Sequence, residues 1–216
     1  GGGARADARP SKPAFSESFA VLRESRYIAL LLALIAVTQI VITLVDYQFK
    51  VVVTEHVPSQ DERTAVIGQV YGAIDTAVII LNLASGLVLR FVGIAMTLKL
   101  IPLILGVSLL GAVFGPIFAA MLVAKVVSKA FDYSLFRSAK EILYIPLSAI
   151  EKTRGKAVVD MLGYRVAKGL ASFMILGLTA LNALHAVMAL TLALSALWLW
   201  LTLVLVRGFR ARSSEL

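Results

Sequence analysis

The chain has 216 residues, 59% of them hydrophobic and 16% charged, with a mean hydropathy of +0.88, which excludes an ordinary water-soluble domain. Its net charge of +8 would suit a nucleic-acid binder, but the basic residues lie between hydrophobic runs and no recognition module is legible, so membrane topology accounts for the excess better. Zero cysteines and two isolated histidines, His56 and His185, exclude disulfides, thiol catalysis and clustered metal sites, and no cofactor is implied.

Residues 1–14 are rich in Gly, Ala, Arg and Pro and predict a disordered linker or tail. They begin on a glycine run without an initiator Met, as a piece of a longer protein would. A bilayer-spanning helix needs roughly 20 mostly apolar residues, and six segments qualify: Tyr27 to Tyr47, Ala65 to Leu89, Val92 to Phe114, Pro116 to Phe136, Ala157 to Leu178 and Ala183 to Val206. The expected fold is therefore all-α, a polytopic membrane protein with a six-helix transmembrane domain over residues 15–210 and a cytoplasmic tail over 211–216. The first span is too long and too late in the chain for a cleaved signal peptide. Pro58 to Asp61 and Gly115-Pro116 mark turns, and Glu141 to Lys156, with Pro146 and several charges, is expected to be a connecting loop.

Lys and Arg retain cytoplasmic loops. Arg5, Arg9, Lys12, Arg23 and Arg26 precede the first span, Arg90 follows the second, Lys152, Arg154 and Lys156 precede the fifth, and Arg207, Arg210 and Arg212 follow the sixth. Both termini are thus expected in the cytoplasm, with a bacterial inner membrane as the setting.

Ionisable groups within lipid are costly and should face a bundle interior or a wet cavity. The first span carries Gln39, Thr43, Asp46 and Lys50 at spacings of four, three and four, a single stripe on a helix. The second carries Gly68, Gly72, Asp75, Asn82 and Gly86, the fourth Lys125, Lys129, Asp132 and, if the helix continues, Lys140, and the fifth Asp160, Arg165 and Lys168. Spans three and six are almost wholly apolar and read as lipid-facing supports, with Trp198 and Trp200 as interfacial or lipid-packing aromatics. This division matches one six-helix half of a major facilitator-type transporter, in which the site lies near the midplane between two halves. A 1.5 Å rise puts Lys125 about 14 Å along the fourth span and Lys168 roughly 17 Å along the fifth. Cations gathered at that depth favour an anionic substrate, and phosphate groups would satisfy them. The plainer reading makes ion pairs of Lys125 with Asp132, or of Lys168 with Asp160 or Asp75, and lets Lys129 or Arg137 reach to the headgroups.

The run KAFDYSLFRSAKEILYIPL at Lys129 to Leu147 resembles the signature segment of the ATP/ADP translocases of bacterial energy parasites and plastids. KTRGK at Lys152 to Lys156, GYRVAKG at Gly163 to Gly169 and LVDYQFK at Leu44 to Lys50 resemble further stretches of the C-terminal half of that family. The resemblance implies exchange of ATP for ADP, or of a related phosphorylated solute, by alternating access against a second six-helix half. It carries substrate binding onto Asp46, Lys129, Lys140 and Lys168, to which the stripes add Lys50, Lys125 and Arg165. The chain departs from the family at Asp46, where Glu is frequent, and at Arg137, where Asp is usual. No GxxxxGK[ST] loop and no nucleophile with its base point to an enzyme. The alternatives are a membrane module that moves nothing and a proton-coupled carrier of neutral solutes working through Asp46 or Asp75.

Overall fold

The computed structural model describes residues 22–23, 25–181 and 183–213; the expected linker at 1–14 lies outside them. Among the described residues the chain is helical without strands. In chain order the helices are α1 (Arg26–His56), α2 (Gln60–Phe91), α3 (Ile94–Phe114), α4 (Ile117–Phe131), α5 (Arg137–Leu143), α6 (Ala149–Asp160), α7 (Ala167–Ala180) and α8 (Leu184–Ser213). A π-helical turn, Asp132–Phe136, joins α4 to α5, and a second, Met161–Val166, joins α6 to α7.

Five helical stretches are long and apolar enough to cross a membrane: α1, α2, α3, residues 151–180 and residues 186–212. The segment expected as the fourth span differs. Its α-helical part, α4, is 15 residues long and the path then continues through the π turn into α5, carrying Lys125, Lys129 and Asp132 on the way.

The turns behave as their residues dictate. Ser59 caps α2 by accepting from Glu62 N at 3.1 Å, and Gly93, with φ of +80°, makes the corner before α3 that a side chain would resist. The expected loop from Glu141 to Lys156 is a correction. Only residues 144–148 leave the helix, because Ser148 and Glu151 form a reciprocal capping box that starts α6 at Ala149. Pro146 sits in that short turn.

α1 is the central post. Of its most apolar stretch 61% is buried, against 6% for α2, and it packs on α8, α4 and α7. Ile28, Leu31, Leu34, Ile35, Val41 and Val45 form the core face. Hydrogen bonds to side chains and backbone add specificity where apolar packing alone gives little in lipid: Gln48 Nε2 donates to Thr191 Oγ1 on α8 at 2.8 Å, and Tyr27 Oη donates to Leu143 O at 2.8 Å. α3 and α8 pack on each other and keep exposed apolar faces, including Leu103, Val107, Leu110 and Trp200. Trp198 is not lipid-facing as expected. It is buried in the core, edge-on to Phe136 at 6.1 Å.

α2 packs on α4 and the first π turn but is otherwise exposed. Among its residues only Val70 and Ile74 are buried, and a Cβ on Gly68, Gly72 or Gly86 would meet nothing within 4 Å. Asp75 and Asn82 are exposed on the same helix.

Candidate functional site

The stripe on α1 faces the two interrupted helices. Gln39, buried, donates from Nε2 to Asp132 Oδ1 at 3.0 Å, which holds the first π turn against the middle of α1. π turns of this kind recur at functional sites because the extra residue swings following side chains round the helix. Here that turn and the second one, Met161–Val166, border one cavity. It has a volume of about 280 Å3 and is lined by Gln39, Asp132, Tyr133, Arg137, Lys140, Tyr164 and Lys168.

Three cations and one carboxylate thus share the cavity. Lys140, itself buried, donates to Asp160 Oδ1 at 3.2 Å and to Tyr164 Oη at 3.3 Å, with its ammonium 4.8 Å from the Tyr164 ring centre. Arg137 and Lys168 are exposed. Position follows from close packing as well as from sequence: a Cβ on Gly163 would lie 2.9 Å from Ile35 Cγ2, so only glycine lets the second π turn sit this close to α1.

A second cavity, about 320 Å3, is lined by Thr43, Asp46, Tyr47, Lys50, Ser172 and Ile175. Its acid is the centre of a three-charge cluster. Asp46 Oδ2 accepts from Lys50 at 2.9 Å, and Oδ1 accepts from the ammonium of Lys125 on α4. Lys125 is fully buried, with its ammonium over the rings of Phe49 and Tyr71 at 5.5 and 5.0 Å. Lys156 donates to both oxygens of Glu141 at 3.1 and 2.9 Å and ties α6 to α5.

The sequence-selected residues therefore divide. Asp46, Lys50 and Lys125 come together, and Lys140 and Lys168 share the other cavity. Lys129 lies 5.5 Å from the ring of Tyr133 and lines neither cavity; Arg165 is exposed and lines neither. The plainer ion pairs are also redistributed, since Lys125 takes Asp46 rather than Asp132 and Asp160 takes Lys140 rather than Lys168. Arg137, Tyr133 and Tyr164 were not among the selected residues. The signal that marks them is the paired aromatic and basic spacing within KAFDYSLFRSAK and GYRVAKG, which becomes a shared cavity only once the π turns are seen. The side chain of His185 lies outside the described residues.

Comparison with known proteins gives the family. ADP,ATP carrier protein 3 of Rickettsia bellii is 29% identical over 175 residues, covering 73% of this chain and 35% of the relative. ADP,ATP carrier protein 4 of Rickettsia conorii is 26% identical over 236 residues, 95% of this chain and 46% of the relative. ADP,ATP carrier protein 1 of Chlamydia muridarum is 28% identical over 224 residues, 90% and 42% respectively. The chain spans less than half the length of these relatives, and no solved structure matches it. The family model described as TLC ATP/ADP transporter matches residues 4–209, nearly the whole sequence, and the chain, an integral membrane protein, belongs to that family.

Proposed function

We propose that this chain is one six-helix half of a nucleotide exchanger that trades ATP for ADP, or moves a related phosphorylated solute, by alternating access. The observation that carries the reading is the cavity in which Arg137, Lys140 and Lys168 gather beside Asp132, so that even with Lys140 paired to Asp160 the cations outnumber the carboxylates. An unbalanced set of cations beside apolar helices is stabilised by a polyanion, and phosphate oxygens accept well from guanidinium and ammonium donors. The names of the relatives, ADP,ATP carrier proteins, point the same way. The family is one of carriers, and the chain is not an enzyme.

The path through α4, the π turn and α5 serves in this reading as the fourth of six spans, interrupted and charged because it lines the site. Broken helices at the midplane are how transporters place polar groups in lipid. α2 supports the need for a second half. Its row of Gly68, Gly72, Asp75, Asn82 and Gly86 is open and polar, a surface suited to a facing helix rather than to lipid. With an even number of spans and the basic residues distributed as they are, both termini lie in the cytoplasm, in a bacterial inner membrane. Asp46, Lys50 and Lys125 hold α1 to α4 beside the site, and Lys129 and Arg165, which line neither cavity, are not assigned to it.

The test is counter-exchange in liposomes containing the protein as its gene encodes it. External ADP is expected to release preloaded labelled ATP, with binding weakened as salt rises, and adenosine to compete poorly. Equal competition by adenosine, or no exchange of any phosphorylated nucleoside, would reject the reading.

A further inference from the structure

The two cavities are consecutive. Gln39 lines the first and Thr43, one turn on, the second, both on α1; Lys168 lines the first and Ser172, one turn on, the second, both on α7. They therefore lie end to end in one groove between the two helices. From Gln39 to Lys50 the groove runs on the order of 16 Å at 1.5 Å per residue, which is the scale of a whole nucleotide rather than of its phosphates alone.

The ends differ in charge. The first gathers three cations beside Asp132; Lys140 is also paired with Asp160 at 3.2 Å, while Arg137 and Lys168 are exposed to the cavity. In the second, Asp46 and Lys50 bond each other at 2.9 Å, and Asp46 also holds Lys125, so a phosphate placed there would meet a carboxylate whose donors are already engaged. An uncharged, hydroxyl-bearing group meets no such opposition.

The hydrogen-bonding sense agrees. Thr43 Oγ1 donates to Gln39 O at 2.7 Å and Ser172 Oγ donates to Lys168 O at 3.1 Å. Each hydroxyl has spent its proton on its own helix and presents lone pairs to the cavity, so the site offers acceptors to a ligand that brings donors. Ribose hydroxyls are such donors. Tyr47, half-buried with Oη 3.5 Å from Thr179 Oγ1, and Ile175 add apolar surface for a base.

We infer that the cavity of Thr43, Tyr47 and Ser172 receives the nucleoside end of the nucleotide whose phosphates occupy the cavity of Arg137, Lys140 and Lys168, so that the former reads the sugar and base. This rests on the nucleotide reading above.

The experiment compares two competitors for labelled ATP on the protein as encoded, in liposomes: unlabelled ATP and tripolyphosphate, which has the anion without the nucleoside. The Thr43→Val, Ser172→Ala pair is expected to weaken ATP about tenfold, the scale of two hydrogen bonds, while tripolyphosphate changes less than about twofold. Arg137→Ala is expected to weaken both competitors. Ser172 is exposed, so Ser172→Ala alone, expected to weaken ATP about threefold, serves if the paired variant does not fold. Tripolyphosphate weakened as much as ATP would overturn the assignment by placing phosphate in the second cavity. ATP affinity unchanged by the substitutions would overturn it by leaving that cavity unused. Failure of the unsubstituted protein to bind ATP is a separate outcome that rejects the nucleotide reading itself, and this assignment with it.

Discussion

Lys125 on α4 is fully buried and gives its ammonium to Asp46 on α1, while Asp46 keeps a second donor, Lys50, one turn along its own helix. The cluster is unequal. Asp46 has two cations and retains some exposure, 23% for its side chain, whereas the Lys125 side chain has 0%. Removing either partner of a buried pair leaves the other uncompensated, but the two removals leave different residues stranded.

Asp46→Asn is therefore expected to destabilise the fold by about 3 to 5 kcal/mol, and Lys125→Met by clearly less, because Asp46 still holds Lys50. Thermal unfolding of both variants in detergent measures the order. If Lys125→Met unfolds as readily as Asp46→Asn, Lys50 does not compensate Asp46.

Lys168 and Arg137 are exposed and line the cation-rich cavity. Replacing either with Ala is expected to leave the melting temperature nearly unchanged and to lower ATP affinity about tenfold to a hundredfold, the loss of a charge-assisted hydrogen bond in a partly dry site. A lowered melting temperature with unchanged affinity would assign the residue to structure instead.

Gly163 and Ile35 set how closely the second π turn approaches α1. Gly163→Ala is expected to cost about 1 to 3 kcal/mol through the forced overlap. Ile35→Ala, which removes the contacted Cγ2, is expected to absorb part of that cost, so the double variant is more stable than the sum of the singles predicts. Gly169 is the control. A Cβ there meets nothing within 4 Å, and Gly169→Ala is expected to be neutral or stabilising by up to about 1 kcal/mol through helix propensity. Strict additivity of Gly163→Ala and Ile35→Ala in a double-mutant cycle would remove the close-packing argument.

Topology is tested in the turns. Reporters inserted beside Pro146, in the short turn before α6, and fused after Leu216 are expected on the same, cytoplasmic side, and one beside Pro58 on the opposite side. Pro58 and Pro146 reporting the same side would mean that the charged path through α4 and α5, or one of its neighbours, does not cross.

The sequence by itself determined the solvent, the helical class and the family. Continuous apolar length needs no tertiary information to show lipid-crossing α1, α2 and α3, and the four, three, four spacing of Gln39, Thr43, Asp46 and Lys50 must form one stripe on any α-helix. Two parts of that stripe, Gln39 and Lys50, indeed lie at the two ends of the groove. What remained for the tertiary structure was which charge meets which. Lys125 to Asp46 and Lys140 to Asp160 are contacts between or across interrupted helical runs, and helical spacing is silent on how one helix is turned against another. Arg137 shows the reason most directly. On an unbroken α-helix it lies well round from the face of Asp132, but the wider π turn between them changes the phase of every later residue and brings Arg137 and Lys140 to the same cavity. Trp198 lies in the core rather than in lipid for a related reason: the spanning part of α8 carries no charged residue to reveal its orientation, and packing against α1, α3 and Phe136 decides which side is buried.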